Sequence, residues 1–128
     1  MYDIDEIMDM LDWNNSPEVQ KKGIELAKNI RSINVFLQPG DKTHNKNVWD
    51  NCAKILANRT DEELSPYLSA LMAWLEDLNW LGALCILKRL NEYQDNESLN
   101  FSLKESVYIA TATKNVLWLS NLLRIGRK

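Results

Sequence analysis

Nucleophilic catalysis and metal capture both lean on histidine, and this chain has a single one, His44, between Thr43 and Asn45 in a polar stretch. A lone imidazole there reads as a solvated loop side chain. Cys52 and Cys85 lack CxxC spacing and sit among apolar neighbours, so they read as buried thiols of a reducing compartment, not as zinc ligands. Gly23, Gly40, Gly82 and Gly126 are each isolated, which leaves no phosphate-cradling loop and no nucleophile elbow. Glu76 and Asp77 lie close to Trp74 and Trp80, and an acid against aromatic surface can be tuned as a proton donor. Asp77, however, falls near the junction of two helices, where its carboxylate is better placed to accept backbone N–H bonds of the turn. No catalytic residue, cofactor or metal is expected.

Recognition chemistry is better represented. Trp13, Trp49, Trp74, Trp80 and Trp118 could stack on planar ligands, but most fall on apolar stripes and are expected to pack in the core. Trp13 is the exception, because it follows Asp12 and precedes two asparagines; exposed, it would suit an interface anchor. Residues 1–15 carry five carboxylates, Asp3, Asp5, Glu6, Asp9 and Asp12, and no Lys or Arg. Residues 114–128 reverse this, with Lys114, Arg124, Arg127 and Lys128 and no carboxylate. An acidic first helix can steer a basic protein, which makes Asp5, Glu6, Asp9, Asp12 and Trp13 the candidate partner-binding residues.

The whole composition agrees with a protein partner. Of 128 residues, 45% are hydrophobic and 26% charged, enough for one domain, 1–128, with a real core. The net charge of −3 and a pI near 5.2 argue against a dedicated nucleic-acid or anionic-membrane surface. No apolar run approaches membrane-spanning length, and Met1 to Glu6 is acidic where a signal peptide begins basic, so a cytoplasmic location is expected.

Few Pro and Gly punctuate the chain, and apolar spacing predicts helices throughout. Ile4, Ile7, Met8 and Leu11 form one stripe. Ser16-Pro17 supplies an N-cap and a first-turn proline for a helix carrying Val19, Gly23, Leu26, Ala27, Ile30 and Ile33, with Gly23 marking close approach by a neighbour. After an exposed loop at 37–45, Val48, Trp49, Cys52, Ala53 and Leu56 predict a helix ending near Asn58. Thr60-Asp61-Glu62-Glu63 is a capping box cut short by Pro66, so one turn and a restart at Ser65-Pro66 are expected. Tyr67 to Leu78 and Trp80 to Leu90, the latter capped by Asn79, predict two adjacent antiparallel helices at the centre, with Leu75 and Leu84 buried. Asp95 to Ser98 reads as a loop, Ser102-Leu103-Lys104-Glu105 as the cap of a sixth helix, and Val116, Leu117, Leu119, Leu122 and Leu123 as the apolar face of a last one.

Lys46-Asn47-Val48-Trp49 recurs approximately as Lys114-Asn115-Val116-Leu117-Trp118, and Asp12-Trp13-Asn14 is echoed by Leu78-Asn79-Trp80. Both offsets are close to twice the length of a two-helix repeat. The fold class expected is therefore all-α, six to seven helices stacked as antiparallel pairs in a HEAT-like α-solenoid.

Trp74-Leu75-Glu76-Asp77-Leu78-Asn79-Trp80-Leu81-Gly82-Ala83 resembles a W-L-x-D-x-N-W-P-x-A pattern of small bacterial HEAT-like helical proteins of unknown function, some of them immunity- or adaptor-like. The resemblance spans about Leu64 to Leu90 and implies a helical-repeat fold without established catalysis. The function expected is a non-catalytic module that binds another protein, such as a basic toxin it would neutralise. The alternative is a nucleic-acid-binding or base-excising enzyme that uses Trp and Asp residues. A basic groove with an exposed Trp beside a carboxylate would favour the enzyme, and an acidic, apolar face would favour the binding module.

Overall fold

The computed structural model describes residues 3–39 and 46–126, and among them every regular element is a helix. Seven α-helices have six residues or more: α1 (Ile4–Met10), α2 (Pro17–Ala27), α3 (Trp49–Ala57), α5 (Leu68–Ala73), α6 (Ala83–Asn91), α7 (Asn96–Ala112) and α8 (Val116–Leu122), with the single turn α4 (Asp61–Leu64) between α3 and α5. Short 3-10 turns at Ile33–Phe36, Lys46–Val48, Ser65–Tyr67 and Trp74–Glu76 complete them. No helix among the described residues is long and apolar enough to cross a membrane.

Stacking runs largely in chain order. α1 packs on α2, α2 on α3, α3 on α6, α5 on α7, and α7 on α8. The Trp74–Glu76 turn is the hub, touching α5, α6 and α8. Trp74 and Leu75 within it are fully enclosed. Stacked helices of this kind are compatible with a solenoid, but the expected internal repeat does not emerge: Trp118 is buried in α8 whereas Trp49 is half-buried, and Asn115 caps a helix whereas the Asn47 amide donates to Asp12.

Local sequence chemistry accounts for most helix starts. Asp3 caps α1, its Oδ1 accepting the Glu6 N–H at 2.9 Å, and Ser16 caps α2 through the Val19 N–H. Thr60 and Glu63 make the predicted capping box of α4, after which the chain restarts through Pro66. Gly23 is where α1 crosses α2: a Cβ there would stand 2.9 Å from Met10 Cβ and 3.1 Å from Leu11 Cδ2.

Several expectations are corrected. α2 stops at Ala27 because the Arg59 guanidinium takes the carbonyls of Ala27 (2.7 Å) and Ile30 (2.6 Å), turning the chain so that Ile33 is buried from a 3-10 turn instead. Val19 on the same helix is exposed. Ser65 makes no side-chain cap. Asn79 does not cap α6; the helix begins after Gly82, whose φ of +84° and contacts with Ala53, Trp49 and Trp74 suit only glycine. The main neighbours of α6 are α3 and the 74–76 turn, so α5 and α6 flank that turn and do not form the predicted central hairpin. Leu84 faces solvent at 61% exposure.

The C-terminal region departs further. Asp95 to Ser98 is the start of α7, with the Asp95 carboxylate accepting the Ser98 N–H and hydroxyl, while Ser102 is buried inside the helix and caps nothing. Burial along α7 follows Leu99, Ser102, Leu103, Ser106 and Ala110, a stripe whose serines conceal it from a hydropathy reading. In α8 the buried face is Trp118, Asn121 and Leu122, and Val116, Leu117 and Leu123 are exposed.

Candidate functional site

On this scaffold aromatic surface meets negative charge at the end of α1 and in a cleft beside the start of α3. The first is the predicted one. Asp5, Glu6 and Asp9 lie off the buried Ile7-Met8-Leu11 stripe and are exposed, with no side-chain hydrogen bond or ion pair among the described residues. Asp12 differs: it is half-buried, its Oδ1 accepts the Asn14 N–H at 2.8 Å, and its Oδ2 faces the Asn47 amide at 3.5 Å. That carboxylate shapes the turn after α1. Trp13, on the turn, is 44% exposed, and its backbone is held from both sides by the Asn47 carbonyl (3.2 Å) and the Gln20 amide (3.3 Å). A rigid backbone under a half-exposed indole suits an anchor, since little ordering entropy remains to be lost on contact.

The second place joins residues far apart in the sequence. Leu37, Gln38, Pro39, Trp49, Ala70, Ala73, Glu76 and Trp80 line an open cleft of about 460 Å³ between the start of α3, the end of α5 and the 37–39 segment. Trp49 and Trp80 form its aromatic wall, ring centroids 6.0 Å apart and planes at 76°, the edge-to-face arrangement that aromatic quadrupoles favour. Gly82 makes this possible, because only a residue without Cβ lets the start of α6 press on Ala53 and Trp74 and bring Trp80 to Trp49. Glu76 is the one ionisable group in the lining among the described residues, and the Asn115 Nδ2 donates to its Oε1 at 3.3 Å. Asn115 is itself fixed, its Oδ1 accepting the Trp118 N–H at 3.1 Å as the cap of α8. The Trp49 Nε1–H is enclosed without an acceptor among the described residues.

The other aromatic and acidic candidates are structural. Trp74 Nε1 donates to the Leu81 carbonyl at 3.0 Å and Trp118 Nε1 to the Met72 carbonyl at 2.9 Å, so both rings are core with satisfied donors. Asp77 accepts the Asn79 N–H at 2.8 Å, the turn-capping role its position suggested. Cys52 is buried; Cys85, expected to be buried, is half-exposed, and burial is the chief cause raising its thiol pKa. His44 lies outside the described residues. The sequence offered one signal for the cleft, Glu76 near Trp80, but Trp49 comes from another helix and its convergence required the fold.

No family model, curated protein or solved structure matches this chain.

Proposed function

We propose that the protein is a non-catalytic binding module that docks a basic segment of another protein on the outer face of α1, in the manner of an immunity or adaptor protein. The observation that supports this most is the row of exposed carboxylates Asp5, Glu6 and Asp9, unpaired among the described residues and ending at the half-exposed Trp13. Unpaired like charges on one helix repel one another, and a basic partner removes that repulsion while steering its own approach. Trp13 then supplies the apolar anchor that charge alone lacks. The resemblance of residues 74–83 to HEAT-like adaptor proteins, and a cytoplasmic setting for two free thiols, are consistent with this role. The Trp-lined cleft favours it over base excision, because among the described residues its lining carries a carboxylate and no Lys or Arg.

The test is kinetic. The partner recovered by co-purification and identified by mass spectrometry should associate more slowly with the Asp5→Asn, Glu6→Gln, Asp9→Asn variant, and salt should slow the wild-type reaction alone. Association rates equal for both proteins at low salt would reject α1 as the docking face.

A further inference from the structure

We propose that the cleft walled by Trp49 and Trp80 is a second binding site, independent of α1, that takes a small organic cation, a quaternary or protonated amine on a compact apolar body. Three features of the cleft converge on this chemistry. Its volume of about 460 Å³ is that of a small-molecule pocket and not of a packing defect. Its aromatic wall is the Trp49–Trp80 pair, and indole is the aromatic side chain whose ring quadrupole attracts cations most strongly. Among the described residues its one charged group is the Glu76 carboxylate, with no Lys, Arg or His in the lining to neutralise it.

The hydrogen bond from Asn115 matters here because it orients Glu76 without cancelling its charge. A neutral ligand would fill the apolar volume but leave that half-buried charge uncompensated. An anion would be repelled. A cation alone uses both the rings and the carboxylate, and its apolar body covers Leu37, Pro39, Ala70 and Ala73.

Choline and 3,3-dimethyl-1-butanol have nearly the same shape and differ in the charge of the head group, so they separate the electrostatic claim from mere cavity filling. Titrated into the full chain and followed by the indole resonances of a two-dimensional NMR spectrum, choline should shift the Trp49 and Trp80 signals and bind about 10-fold tighter than the alcohol. Glu76→Gln, whose melting temperature is checked first, should bring choline down to the level of the alcohol. Equal binding of the two compounds, or shifts confined to Trp13, would overturn the proposal. Undiminished choline binding by Glu76→Gln would overturn it as well. If that variant does not fold, the ratio of the two affinities on the wild type still decides. Because neither probe tests α1, failure here leaves the docking of a basic protein to be judged by its own kinetics.

Discussion

Asn115 reaches across the fold to Glu76, its Nδ2 donating to Oε1 at 3.3 Å while its Oδ1 caps α8 through the Trp118 N–H. One side chain therefore sets a helix start and the orientation of the carboxylate in the cleft. Asn115→Ala should cost about 1 kcal/mol in urea unfolding, the usual loss for an N-cap. Asn115→Asp keeps a capping oxygen but sets a second carboxylate against Glu76. Facing carboxylates raise one another's pKa in the folded state, so this variant should gain stability relative to wild type as the pH falls toward about 4. A pH-independent difference between the Asn115→Asp variant and wild type would show that the two groups do not face each other.

Gly23 should not tolerate alanine. Helix propensity favours the change by about 1 kcal/mol. Against it stands a Cβ placed 2.9 Å from Met10 Cβ and 3.1 Å from Leu11 Cδ2, and overpacking of this kind costs about 1–3 kcal/mol. The crossing of α1 on α2 should therefore loosen, with a net loss in urea unfolding. A stabilised Gly23→Ala variant would mean that the two helices separate freely.

The two leucines that look equivalent in sequence should behave differently. Leu75, fully buried in the hub, should lose about 2–5 kcal/mol on replacement by alanine. Leu84, at 61% exposure, should lose less than about 0.5 kcal/mol. Comparable losses at both positions would contradict the orientation of α6.

That contrast shows where the sequence was readable. Some caps were legible because their chemistry is local: Ser16, Thr60 and Glu63 act within three residues of where they stand, whereas Asn79 and Ser102, equally plausible in sequence, cap no helix. The close approach at Gly23 was legible because glycine inside a helical stripe has few other reasons to be there. Apolar content alone overstates the burial of α6, because Leu84 and Ile86 are equally apolar and only the packing of α6 on α3 distinguishes them. The start of α7 is hidden in the sequence because Ser102 and Ser106 interrupt its apolar stripe while facing the core, Ser106 with its hydroxyl toward the Met72 sulfur at 3.4 Å. Of the two candidate sites, the acidic α1 face is contiguous in sequence and could be read there. The cleft joins residues 37–39, 49, 70–76 and 80, a juxtaposition that no local pattern encodes.

Acid should weaken the fold partly through Asp61. Burial opposes ionisation of this carboxylate, but the Gln94 N–H at 2.8 Å and the Arg89 guanidinium outweigh it and hold its pKa below the ordinary value. A pKa lower in the folded than in the unfolded chain means that the unfolded chain binds more protons. The stabilisation is therefore complete above the unfolded Asp value of about 3.9 and disappears as the pH falls through the folded one. Asp61→Asn should lose about 1 kcal/mol at pH 7, and the gap to wild type should narrow below about pH 4. A gap that persists at about pH 2 would show that the charge of Asp61 is not what ties α4 to α6.

Docking of a basic ligand on α1 is observed by titrating a capped octalysine peptide into the isotope-labelled protein at low salt and mapping the shifts. The α1 amides around Asp5, Glu6 and Asp9 and the Trp13 indole should shift, and the shifts should be lost in about 0.5 M salt and in the Asp5→Asn, Glu6→Gln, Asp9→Asn variant. These side chains make no side-chain hydrogen bond or ion pair among the described residues, and Asp5 and Glu6 favour only the N-terminal end of α1, so that variant should stay folded with a slightly lower melting temperature. Shifts that avoid α1, or that survive its neutralisation, would rule out α1 as the docking face.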